Sequence, residues 1–127
     1  MKALTLHAPW AHAVAWLGKD IENRTWRPPA SVIGTRIAIH AGAGGKPASH
    51  QLAWEAAQRA GRDMIGPYAI GALVATAIIG EPVTASDSPW WIGPIGWPLI
   101  GVRRLPEPIP CKGRLGLWTL PEGLVLP

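Results

Sequence analysis

Residues 4–29 read LTLHAPWAHAVAWLGKDIENRTWRPP, and two periodicities meet there. Up to Leu6 the alternation from residue 2 predicts a strand over residues 2–6. Pro9 stands where a first helical residue belongs, because its missing N–H is not needed there. Trp10, Ala13, Val14 and Leu17 then recur at the spacing of one buried helix face, while His12, Trp16 and Lys19 share a different face. Gly18 suits the end of that helix. Residues 20–25 return to a period of two, with Ile21 and Asn23 on one side and Glu22 and Arg24 on the other. Arg27-Pro28-Pro29 ends regular pairing, since proline cannot donate to a ladder.

Outward from this block, the spacing predicts a strand over residues 35–41 and a glycine-rich loop over 42–45. A second helix is expected over 50–60, capped by Ser49, with Leu52, Ala53, Ala56, Ala57 and Ala60 inward. Residues 69–83 read as a central strand and 84–96 as a loop carrying Trp90-Trp91. Strands follow over 97–104 and 113–119, joined by an extended segment with prolines 106, 108 and 110. The order β α β β α β β β fits an α+β fold: a mixed β-barrel of five to six strands with two helices.

A chain of 127 residues fits one domain, residues 1–127. A hydrophobic fraction of 48% against 16% charged is globular, not disordered. The single cysteine, Cys111, excludes an intrachain disulfide and a cysteine-based zinc cluster. The longest apolar stretch covers 12 residues, 69–80, against the roughly 20 a membrane span needs. The N-terminal residues lack the apolar core of a signal peptide, so a cytoplasmic location and no membrane partner are expected. Twelve Lys and Arg against eight Asp and Glu give a net charge of +4, a modest bias toward anionic partners. Eight Trp with one Tyr and no Phe oblige several Trp to fill the core, although Trp also stacks on bases.

The chemistry concentrates at K-x-x-E-x-R. With Lys19 closing the helix and Glu22 and Arg24 leaving on the next strand, a cation, a carboxylate and a guanidinium are expected to converge on one cleft. Lys19 suits a phosphate or carbonyl; Arg24 binds phosphate in bidentate fashion or stacks. Glu22 accepts from an exocyclic amine or serves as a general base. Asn23 faces the other way and braces backbone. The structural alternative is concrete: Lys19 sits where a helix C-terminus favours a cation, and Glu22 with Arg24 would close the barrel as an ion pair. His40 ends a strand, where a histidine is as a rule packed or hydrogen-bonded, with ligand contact as the alternative. His7 and His12 are off the register of a helical metal pair, so no metal is expected. Trp90-Trp91 either edges the cleft or caps the barrel. Arg103, Arg104, Lys112 and Arg114 form either a basic patch or a solvated face. No P-loop, dinucleotide or nucleophile-elbow motif is present.

The opening string resembles the start of the ASCH domain (activating-signal-cointegrator homology), a PUA-like fold. The shared features are Pro9-Trp10, Gly18-Lys19, Glu22-Asn23-Arg24 and Trp26. Further matches in order are Ile39-His40-Ala41, Trp97, the prolines of residues 106–110, and the Lys-Gly-x-x-Gly-Leu-Trp pattern of residues 112–118. Ala8 departs from the pattern, where many relatives carry Gln, and removes an amide. The resemblance implies a PUA-like barrel binding nucleic acid, RNA above all, or a nucleobase-bearing ligand, between barrel and first helix. The positions it carries over are Pro9, Trp10, Lys19, Glu22, Asn23, Arg24, Trp26 and His40, with no cofactor. A hydrolase is the alternative it implies, either a ribonuclease or an amidohydrolase of acylated nucleosides, with Lys19 and Glu22 catalytic. The amidohydrolase pattern puts Thr three residues after its lysine; here that residue is Glu22. A non-catalytic adaptor is the third reading, and a monomer the expected state.

Overall fold

The computed structural model describes residues 1–127. β1 (Lys2–Leu6) runs straight into α1 (Ala8–Trp16), with Pro9 second in the helix instead of first. Ala8, one of the first-turn N–H groups that a helix leaves unpaired, donates to the Ala43 carbonyl at 3.1 Å. The glycine loop thus caps the helix. At the other end Gly18 turns through φ +76°, which glycine adopts without the penalty a Cβ brings. The turn swings Lys19 back under the helix, its N–H bonded to the Ala13 carbonyl at 3.1 Å. Lys19 is therefore buried, away from the face that His12 and Trp16 share.

β2 (Ile21–Arg24), β3 (Arg36–Ala41), α2 (Pro47–Arg59), β4 (Ala72–Ile79), β5 (Ile95–Pro110) and β6 (Leu117–Thr119) complete the chain. The six strands form one mixed, curled sheet, a half-barrel, in the order β2-β5-β4-β3-β1-β6. β1 and β3 are parallel and the other pairs antiparallel. The main core lies between the concave sheet and α1: Leu4, Leu6, Ile37, Ile39, Ile79, Trp97 and Leu99 pack on Ala11 and Val14. Ala53, Ala56 and Ala57 of α2 are buried, and Ala56 and Ala57 pack with Ala13 and Trp90. Small residues let the helices approach, and the contact is narrow.

Several elements differ from the spacing-based expectation. α2 starts at Pro47, so Ser49 lies inside its first turn and makes no cap. Its hydroxyl accepts from Trp10 Nε1 at 3.1 Å. Leu52, expected inward, is exposed, since the alanine stripe alone faces α1. β4 is shorter than residues 69–83 because Gly71 turns through φ +68° and the Gly80 backbone packs against Pro98. β5 runs on through the prolines expected to end it. The ladder to β4 shifts register between Leu73 and Ala75, opposite Arg104 and Ile109, so Pro106 and Pro108 fall where no donor is needed. β6 is confined to residues 117–119, since Gly116 at φ +67° breaks the extended run.

β5 consequently has two neighbours. Residues 95–98 pair with β2, and residues 99–110 with β4. No helix is long and apolar enough to cross a membrane.

Candidate functional site

The sheet does not close. Its edge strands are β2 and β6, and the curl brings β2 back toward β1. A cleft of about 460 Å³ occupies the seam, walled by Thr5, Trp10, Glu22, Arg24, Gly93 and Gly116 among others. One side chain spans it: the Arg24 guanidinium donates through Nη2 to the Thr5 carbonyl at 2.8 Å. The same group donates through Nε to Glu22 Oε2 at 2.9 Å, leaving Nη1 without a protein partner.

Behind Glu22 lies Lys19, with its side chain fully enclosed. Its ammonium donates to the Ile21 carbonyl, pairs with Glu22 Oε1 at 3.5 Å, and sits 4.9 Å from the centre of the Trp10 ring. Burial pushes its pKa below the ordinary lysine value; Glu22 and Asp20 pull the other way, and Arg24 adds to the lowering. The three heads thus meet, but around Glu22 instead of around an open hollow. Glu22 and Arg24 line the cleft, whereas Lys19 is enclosed behind Glu22 and does not reach it.

The remaining sequence-selected residues divide. Trp10 is half-buried on the cleft wall, held by its bond to Ser49, whose hydroxyl also lies 3.2 Å from His7 Nδ1. Asn23 braces a loop: Nδ2 donates to the Trp90 carbonyl at 3.0 Å, and Oδ1 accepts from the Ile92 and Gly93 N–H groups at 2.8 and 2.9 Å. Trp26 does not line the cleft; it is 38% exposed, its ring centre 6.0 Å from the Arg24 guanidinium and edge-on to Trp97. Pro9 is buried and lines a separate shallow hollow with Trp54. Trp90 is buried with Ile21, and Trp91 packs over Gly93, so Ile92 and Gly93 edge the cleft instead of the tandem Trp.

His40 lies outside the cleft in a closed hydrogen-bond chain. The Trp118 indole donates to Thr5 Oγ1 at 2.9 Å, which lies 3.3 Å from His40 Nδ1. His40 Nε2 is 2.7 Å from the Cys111 carbonyl; a carbonyl only accepts, so Nε2 carries the hydrogen. A Cβ on Gly113 would collide with the His40 ring, the physical reason for glycine in the Lys112-Gly113 pair. Arg104 stacks beside α1, whereas Lys112 and Arg114 occupy the loop before β6, so these three basic residues make no single patch. No three His, Cys, Asp or Glu side chains gather as a metal site would require.

Sequence reasoning missed Thr5, Gly93 and Gly116. Their only signal is position: each lies at a strand end that the unclosed curl brings to the seam. No family model matches the chain, and no curated protein matches it.

Proposed function

We propose that the seam cleft receives the nucleobase of an RNA strand or of a nucleobase-bearing small molecule, in a PUA-like domain of the ASCH type. The observation that carries this reading is the Glu22–Arg24 pair, 2.9 Å apart at the cleft, with Arg24 Nη1 still free. A carboxylate and a guanidinium in contact offer an acceptor and a donor side by side. That is the complement of a base edge bearing both an amine and a carbonyl. Trp10 offers an aromatic wall, and a volume of about 460 Å³ suits one base with its sugar, not a duplex. The net charge of +4 favours a phosphate-bearing ligand, and the cytoplasm is the compartment we attach to this reading.

Hydrolysis through Lys19 has less support, because an ammonium enclosed behind Glu22 reaches a substrate only if Trp10 or Glu22 moves. The test is calorimetric titration of cytidine and guanosine monophosphates and of a short single-stranded RNA at two salt concentrations. Saturable binding is expected, with RNA affinity falling steeply as salt rises. Arg24→Lys should weaken it about tenfold, since lysine cannot replace the planar fork. Absence of saturable binding by every one of these ligands, or affinity untouched by Arg24→Lys, overturns the reading.

A further inference from the structure

Trp10 and His12 point about 160° apart around α1, at 100° per residue, and a second hollow of about 540 Å³ lies on the His12 side. Its walls are mostly apolar, with the Pro106 and Pro108 rings facing the helix residues His12 and Trp16. Here β5 passes through its bulge, and Pro106 and Pro108 bring no amide N–H to that wall.

The hollow's one cation is held in an unusual way. The Arg104 guanidinium carbon lies 3.6 Å from the centre of the Trp16 ring, which is 57% exposed. Stacking occupies the guanidinium's face and leaves its N–H edge free. Both ion pairs of the protein are made by Glu22, so Arg104 has no carboxylate of its own. The imidazole of His12 continues the aromatic row, its centre 6.4 Å from Trp16 and 4.8 Å from Tyr68. Burial lowers its pKa below the ordinary histidine value, so at neutral pH it adds no second positive charge. Asp63, also on the lining and in neither ion pair, repels a dianion more strongly than a monoanion.

We infer that this hollow is a second ligand site, for an aromatic monocarboxylate of one or two rings. The ring lies between the prolines and the His12–Trp16 row, and the carboxylate receives two parallel N–H bonds from the Arg104 edge. The volume falls in the range of small-molecule sites, and the balance of apolar wall to few polar groups is the usual one. A lone guanidinium would fork a phosphate as well as a carboxylate, but Asp63 on the same lining disfavours the dianion, and that separates this site from the seam cleft.

The test is calorimetry of the whole chain with 2-naphthoate, with the uncharged 2-naphthalenemethanol and with 2,6-naphthalenedicarboxylate. Saturable 2-naphthoate binding is expected, with each of the other two at least about tenfold weaker. Arg104→Gln should weaken 2-naphthoate about tenfold and leave the alcohol unchanged. Arg104→Lys should fall between. No saturable 2-naphthoate binding, equal binding of acid and alcohol, or acid binding indifferent to Arg104→Gln overturns the proposal. The nucleotide titrations at the seam are independent of every one of these outcomes.

Discussion

The two hollows beside α1 hold their charges in opposite ways. At the seam, Lys19, Glu22 and Arg24 satisfy one another, and no buried side-chain polar atom lacks a partner. On the His12 side, Arg104 leans on an indole and Asp63 stands alone. A paired charge contributes to holding the fold, and a ligand there must share its partners. An unpaired charge at the surface contributes little to stability and is free for a ligand. The seam residues thus hold the fold together while walling the cleft, whereas Arg104 is expected to contribute little to folding.

The sharpest way to break this contrast is Glu22→Ala. It leaves a buried ammonium and a guanidinium without their carboxylate, and such losses cost about 3–5 kcal/mol. Thermal unfolding should show a melting temperature lower by roughly 10–20 °C. Adding Lys19→Met should recover part of that loss, since no enclosed cation then lacks a partner. An undiminished Tm in Glu22→Ala would mean that the three charges do not support the fold.

Arg104→Gln should cost far less, below about 1 kcal/mol, the scale of an exposed cation–π contact. Urea denaturation reads this directly, and a loss as large as that of Glu22→Ala would erase the distinction between the hollows.

Acidification gives the smallest effect. Because the His12 pKa is lowered in the folded protein, the unfolded chain binds the proton more readily. The His12 contribution is therefore fully present above the unfolded value near 6.5. It declines as pH falls from there toward the lowered folded value. The slope is shallow, since the ring is only half-buried and water screens it. His12→Gln should flatten the Tm profile between pH 7 and 5, and an unchanged profile would remove His12 from the account.

Much of the frame was legible because it depends on local period: the strand-to-helix change at Leu6, the turn at Gly18, and the shared side of Glu22 and Arg24. Asn23 braces backbone as expected, but it lines the same cleft as Glu22 and Arg24 instead of facing away from it. What stayed hidden depends on contacts between distant residues. Lys19 reads in the sequence as a cleft-facing cation or a helix-end one, and only the direction of the Gly18 turn buries it under Trp10. Prolines 106, 108 and 110 looked like the end of a strand, because a bulge that spares them a donor role depends on the neighbour, β4. Arg104 meets Trp16 from 88 positions away in the sequence, and no pattern in either segment announces it. His40 carried too little signal to separate a ligand contact from a structural one, and its partners Thr5, Cys111 and Trp118 come from three other segments.

The long strand β5 ties the two hollows to a common fate. Its first residues carry β2 and so the seam, while its later ones supply Arg104 and the proline wall. Because side chains alternate along a strand, inserting or deleting one residue between Pro98 and Arg104 would turn Arg104 to the other face. Were Arg104 to hold its place instead, the same change would shift residues 95–98, which pair with Glu22 and Arg24. Along β5, descendants of this chain can therefore alter either hollow only by exchanging one side chain for another.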